Sequence, residues 1–199
     1  MARESIVQTT KTATEPAEPA DPRSDAELVA GINRGNSAEF ETLYYRHRDW
    51  VVNLAFRFTG DEALALDVMQ EAFLYLLRKF PGFELRANLR TFLYPAVRNL
   101  SIAARRKALR CQSASEGGDL LANLPAPDPR IVREADLAAV LGDLPVAQRE
   151  VLLLRFVDGF SLMEIVEALD IPLGTVKSRL HYALDTLRHD PRTREWLDE

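Results

Sequence analysis

The run "GTVKSRLHYALD", from Gly174 to Asp185, interleaves Thr175, Ser178, His181, Tyr182 and Asp185 with apolar residues at helical spacing, and sets Lys177 and Arg179 beside them. Hydroxyl, imidazole and guanidinium groups ranged along one helix face exchange hydrogen bonds with base edges, and cations meet phosphates. Gly174 falls on the exposed side of the first turn, where a missing side chain lets the helix amides approach a phosphate. A second group, Asp67, Gln70 and Glu71, stands at i, i+3 and i+4 in "DVMQEAFLYLLRKF", so acids and an amide share one helical face. Between Glu84 and Arg110 the basic residues Arg86, Arg90, Arg98, Arg105, Arg106, Lys107 and Arg110 face Glu84 as the one acid. Such a stretch suits a nucleic-acid backbone. The plainer reading of each group is a solvated helix surface, and of the first an amphipathic hairpin.

None of these groups is a catalytic constellation. His47, His181 and His189 are scattered, and no Cys or carboxylate cluster at metal-ligand spacing accompanies any pair. Neither a Gly-rich phosphate loop nor a nucleophile elbow is present. The sequence predicts a protein that is not an enzyme, with no catalytic residues, no metal and no cofactor. His47 in "YRHRDW" reads as a surface or boundary residue, and Trp50 as core.

The elements that must position these groups are all helical. Ser161 with Glu164 three residues on is a capping-box pair that starts a helix. Leu162, Ile165, Val166 and Leu169 then form an apolar stripe that needs a partner helix at once. Pro172 suits the first position of that partner, so the chain turns over Asp170 and Ile171. Val176, Leu180, Ala183, Leu184 and Leu187 supply the answering stripe. Two helices joined by so short a turn, the second polar and basic outside, form a helix-turn-helix whose second helix suits the DNA major groove.

Upstream, apolar spacing predicts helices over 25–34, 37–59, 62–79 and 89–110, broken at Gly60 and by the loop "FPGFELRAN". Pro95 lies inside the last of these and predicts a kink or interruption there. Downstream, helices over 132–142, 146–157, 161–169 and 172–188 predict a compact four-helix unit whose core is marginal alone. The text "CQSASEGGDLLANLPAPDPR" between them reads as a linker. The expected fold is all-α: two small helical domains joined by a flexible linker, the second containing the helix-turn-helix. Its expected organisation is a disordered tail over 1–24, a first domain over 25–110, a linker over 111–131, a second domain over 132–190 and a C-terminal tail over 191–199.

At 199 residues and 47% hydrophobic content the chain is globular. One cysteine, Cys111, cannot form an internal disulfide, no run of eighteen apolar residues exists, and the N-terminal stretch lacks a signal-peptide core, so a cytoplasmic location is expected. The formal charge of −5 runs against a free-standing nucleic-acid binder. Local basic stripes on an acidic chain hold phosphate at short range but gain little long-range attraction to DNA. Something else must bring such a protein to its site.

Asp67-x-x-Gln70-Glu71 before an apolar run, then "LRTFLYPAVRNLSIAARRK", then "LPVAQREVLLLRFVDGFSLMEIVEALDIPLGTVKSRLHYALDTLR" resemble regions two and four of bacterial sigma-70 factors, in the extracytoplasmic-function (ECF) class. The resemblance covers about 25–110 and 135–188. It implies a sigma factor that binds core RNA polymerase and directs promoter-specific initiation. By resemblance Asp67, Gln70 and Glu71 are the polymerase contacts. Phe83, Asn88, Arg98, Asn99, Arg105, Arg106 and Lys107 are the corresponding minus-ten readers, which fits the needs of an extruded base and its backbone. Gly174, Thr175, Lys177, Ser178, Arg179, His181 and Tyr182 are the minus-thirty-five readers. Phe92 stands where many relatives carry Trp, and Pro95 where their helix is usually continuous. The resemblance also implies an anti-sigma factor as partner, and no direct membrane insertion. A polymerase that anchors two weak readers at once removes the charge conflict, because linkage raises effective concentration. The twenty-residue linker extends to roughly 65 Å at ~3.3 Å per residue, near two turns of duplex at ~34 Å each. The rival is a helix-turn-helix regulator that binds an operator as a dimer without polymerase.

Overall fold

A computed structural model of the chain describes residues 21–112 and 135–193. Most of the expected tails and linker, and the expected helix start at Val132, lie outside the described residues. Within them the chain is helical and no strand is present: α1 (Asp25–Asn33), α2 (Ser37–Thr59), α3 (Glu62–Leu77), α4 (Leu89–Gln112), α5 (Ala135–Asp143), α6 (Val146–Phe156), α7 (Leu162–Leu169) and α8 (Leu173–His189).

Each boundary has a local cause. Ser24 caps α1, its hydroxyl accepting from the Glu27 amide while the Glu27 side chain reaches back to the Ser24 backbone. Asn36 and Asp61 cap α2 and α3 in the simpler one-sided manner. Gly60 ends α2 at φ 68°, a left-handed cap that costs a glycine nothing. Ser161 and Glu164 form the expected capping box on α7, and Asp170 takes the left-handed position at φ 52° before Pro172 leads into α8. Asn tolerates that conformation better than most residues, and Asp shares the property.

Helices α2, α3 and α4 pack on one another, with α1 across α2. Leu43, Val51, Leu54 and Phe58 of α2 meet Val68, Ala72, Phe73 and Leu76 of α3 and Leu89, Leu93, Tyr94 and Val97 of α4. Fully burying a side chain of this size contributes about 1.5–3 kcal/mol, so these three helices form the principal core. In the second unit α8 lies on α6 and α7. Its own small cluster holds Leu141, Leu144, Leu152 and Ala183.

The structure corrects or sharpens four expectations. The second unit's small core does not stand alone: Val151, Leu154, Phe160, Ile165, Ala168 and Val176 join the same buried cluster as the first unit, and α7 packs on α4. Apolar stripes on short helices are satisfied wherever a matching surface is within reach, here across the two units. Of the kink or interruption expected at Pro95, the interruption is absent: the helix runs unbroken from Leu89 to Gln112. One lost hydrogen bond near the N-terminal end is outweighed by the burial of Leu93, Tyr94 and Val97 around it. His47 is buried, not at the surface, with Nε2 2.8 Å from Oδ2 of Asp25. Trp50 is half-buried and faces the second unit.

Candidate functional site

Helix α3 buries Ala65, Val68, Met69, Ala72, Phe73 and Leu76, and the 3.6-residue period therefore turns Asp67, Gln70 and Glu71 outward together. All three are exposed. Beside them Leu66, Leu74 and Leu77 are 48%, 50% and 44% exposed, so the ridge mixes acids with unburied leucines. Apolar groups left in water beside charge mark surfaces that another protein covers. The leucines were overlooked in the sequence because a leucine there reads as core; the available signal was their position outside the buried stripe.

The loop between α3 and α4 is tied to the end of α1. Asn33 Nδ2 donates to the Phe83 carbonyl at 2.8 Å, and the Gly82 amide donates to Asn33 Oδ1 at 2.7 Å. An aromatic chain follows: the Phe80 and Phe83 ring centroids are 5.6 Å apart, Phe83 and Phe92 are 4.7 Å apart, and Tyr75 stacks on Phe92 at 5.9 Å. Phe92, Pro95 and Asn99 of α4 line an open groove of about 680 Å³ together with Glu71, Leu74 and Tyr75 of α3 and Arg78 at its end. Its size and aromatic wall suit a flat ring with one polar edge.

The expected minus-ten readers separate here. Asn99 lines the groove, and Phe83 stands behind its wall against Phe92. Asn88 caps the start of α4, its Oδ1 accepting from the Arg90 amide at 3.0 Å. Arg98 turns to the second unit, where its Nε donates to Oε1 of Glu150 at 2.7 Å. Farther along α4, Arg106 and Lys107 are exposed and Arg105 is half-buried.

On the second unit α7 and α8 meet through Ile165, Ala168 and Val176. Gly174, Lys177, Ser178, His181 and Tyr182 are exposed on the outer face of α8, while Thr175 and Arg179 are half-buried at its edge. Tyr182 is 59% exposed, its ring edge-on to His181 at 5.6 Å. A Cβ built on Gly174 would meet nothing within 4 Å, so the packing of the chain does not demand glycine there. The Ser178 hydroxyl donates to the Thr175 carbonyl at 3.1 Å and keeps its lone pairs for a partner. The structure brings all seven of these residues to one helix.

Two sequence families match the chain, Sigma-70 region 2 over residues 43–111 and Sigma-70 region 4 over residues 140–189. The ECF RNA polymerase sigma factor SigL of Mycobacterium tuberculosis is 32% identical over 167 residues, covering 80% of this chain and 93% of that protein. The chain belongs to the ECF sigma-70 factors. The ECF sigma factor SigW of Bacillus subtilis is 29% identical over 177 residues, 82% of this chain and 95% of that one. In fold, this sigma factor is similar to CnrH, solved with the cytosolic domain of CnrY, at a TM-score of 0.59 and 24% identity over 87% of this chain and 97% of that one. It is also similar to RpoE of Bartonella quintana, solved with the anti-sigma factor NepR, at a TM-score of 0.54 and 23% identity over 75% and 94% of the two chains. As a sigma factor the protein binds core RNA polymerase and promoter DNA and directs transcription. Among the described residues no helix is long and apolar enough to cross a membrane, and no three His, Cys, Asp or Glu side chains gather as metal ligands.

Proposed function

We propose that the α3 ridge of Asp67, Gln70 and Glu71 is the surface by which this sigma factor docks on core RNA polymerase, with Leu66 and Leu74 supplying the apolar contact. The observation that carries this reading is their common exposure on one face of α3 beside leucines that the described residues leave about half exposed. The loop and α4, with Phe83, Asn88, Arg98, Asn99, Arg105, Arg106 and Lys107, read the minus-ten element. An extruded base enters the groove beside Phe92 and Asn99 while Arg106 and Lys107 follow the strand. Gly174, Thr175, Lys177, Ser178, Arg179, His181 and Tyr182 read the minus-thirty-five element from the major groove. Residues 25–110 and 132–190 act as the two working units on either side of a linker over 111–131. The protein works in the cytoplasm as an initiation factor without catalytic activity of its own, and an anti-sigma factor that occludes both units is its regulatory partner.

Reconstitution with core RNA polymerase tests this directly. Promoter-specific initiation that depends on adding the protein is the expected result. Operator binding by the protein alone, with no gain in initiation when polymerase is present, overturns it.

A further inference from the structure

Helix α8 carries a graded stripe. Gly174, Ser178 and Tyr182 stand at i, i+4 and i+8, so they lie along one line of the helix, and all three are exposed. Side-chain size grows along that line from nothing, to a hydroxymethyl group, to a phenol ring. No neighbour within 4 Å of a Cβ built on Gly174 accounts for the glycine, and the Ser178 hydroxyl folds back on the Thr175 carbonyl at 3.1 Å. Such a taper fits a helix that enters a groove with its first turn deepest and its third turn lifted, where only a long side chain still reaches the floor. The stripe spans about 12 Å at 1.5 Å per residue, close to the ~12 Å width of the major groove. Beyond it the exposed Asp185 repels phosphate, so the face suited to nucleic acid ends at Tyr182.

Among the described residues Tyr182 is the one large apolar side chain that α8 leaves mostly in water, at 59% exposure, and its ring sits edge-on to His181 at 5.6 Å, which restricts where it points. An exposed ring has a single apolar target in the major groove of a duplex. Base faces are stacked there and closed to an aromatic partner, whereas they are open in a single strand. The base edges present donors, acceptors and one apolar group, the C5 methyl of thymine. We propose that Tyr182, positioned by His181, reads a thymine methyl in the upstream promoter element, and that the ring rather than the phenol hydroxyl sets the base preference at that step. The inference rests on the assignment of α8 to the minus-thirty-five element. Lys177 and Arg179 supply charge that any sequence satisfies through its phosphates, and the ring separates thymine from the three bases without a methyl.

The test uses holoenzyme reconstituted from the full chain and core polymerase. A promoter library randomised over the upstream element supplies a high-affinity element, which is then resynthesised with each thymine on either strand replaced singly by uracil. Uracil lacks the methyl and keeps every hydrogen-bonding group. One of these replacements is expected to raise the Kd about fourfold, the contribution of one buried methyl group. Holoenzyme with Tyr182→Phe is expected to keep that ratio, and with Tyr182→Ala to bind the thymine and uracil elements alike. The ratio is taken within each variant, so it does not depend on the variant's overall affinity. Equal binding of thymine and uracil at every position by the wild type, a selected element without thymine on either strand, or a ratio that survives Tyr182→Ala overturns the methyl contact. Loss of the ratio in Tyr182→Phe moves the readout to the hydroxyl and overturns it too. A Lys177→Ala, Arg179→Ala holoenzyme that binds the same element undiminished would place the failure in the assignment of α8 rather than in Tyr182.

Discussion

One nitrogen of Arg57, on α2, sits 2.7 Å from both carboxylate oxygens of Asp158, a hundred and one residues away in sequence. Both side chains are nearly dry. Removing one partner of a buried pair strands the other, at a cost of about 3–5 kcal/mol, whereas replacing both with apolar groups of similar volume is often neutral. Asp158→Ala is expected to lower the calorimetric unfolding temperature and split one transition into two as the units uncouple. Arg57→Met with Asp158→Leu is expected to restore much of the loss. A single-residue loss below about 1 kcal/mol would show that water enters the pair.

The ridge on α3 makes a separate prediction. Asp67→Ala with Gln70→Ala changes two exposed side chains and is expected to leave the unfolding temperature within error. Affinity for core polymerase is expected to fall about tenfold or more, the range of a residue that carries binding energy. Competition against a labelled sigma factor measures it, and undiminished affinity rejects the assignment.

Lys177→Ala with Arg179→Ala removes two cations from α8. If both meet phosphate, the slope of log affinity against log salt for holoenzyme on a minus-thirty-five-dependent promoter becomes shallower by about 1.8, at ~0.9 per contact. Core binding stays unchanged. A slope that does not move while sequence preference relaxes would assign them to base edges instead.

Asp25 predicts a pH dependence. Burial raises its carboxyl pKa, but hydrogen bonds from His47 and Arg46, with their charges, outweigh that and hold it below the ordinary 3.8. The unfolded chain therefore takes up the proton first on acidification. The stabilisation is complete above the unfolded value and is lost as pH falls through the lower folded one. Asp25→Asn is expected to cost about 1.5–3 kcal/mol at pH 7, as for hydrogen bonds to a charged group. The gap to wild type should close below the ordinary carboxylate range, measured by urea unfolding across pH.

Pro95 denies the Thr91 carbonyl its helical donor. Pro95→Ala is expected to raise unfolding free energy by about 1–3 kcal/mol, less than the full interior penalty because the site is near the helix start. Pro95 also lines the groove beside Asn99, so the same variant tests whether the ring shapes base entry, read as open-complex formation on promoter DNA.

Much of this protein was legible in the chain itself. Ser161 with Glu164, Gly60, and the Asp170 to Pro172 turn are local signals, because caps and turns depend on neighbours a few residues away, and they set the helix boundaries. The alternation of apolar and polar residues on α3 and α8 likewise determined which side chains face out, since a helix fixes its faces by its period alone. What required the tertiary structure was everything that joins distant residues. His47 is buried where α1 packs on α2 and meets Asp25, Arg98 meets Glu150 across fifty-two positions, and Trp50 finds its partner in Asp158. Periodicity says that a face must be covered; only packing decides what covers it. A charge pattern read along the chain leaves open whether an arginine awaits a phosphate or already holds a carboxylate, because that depends on long-range contacts that local spacing does not encode.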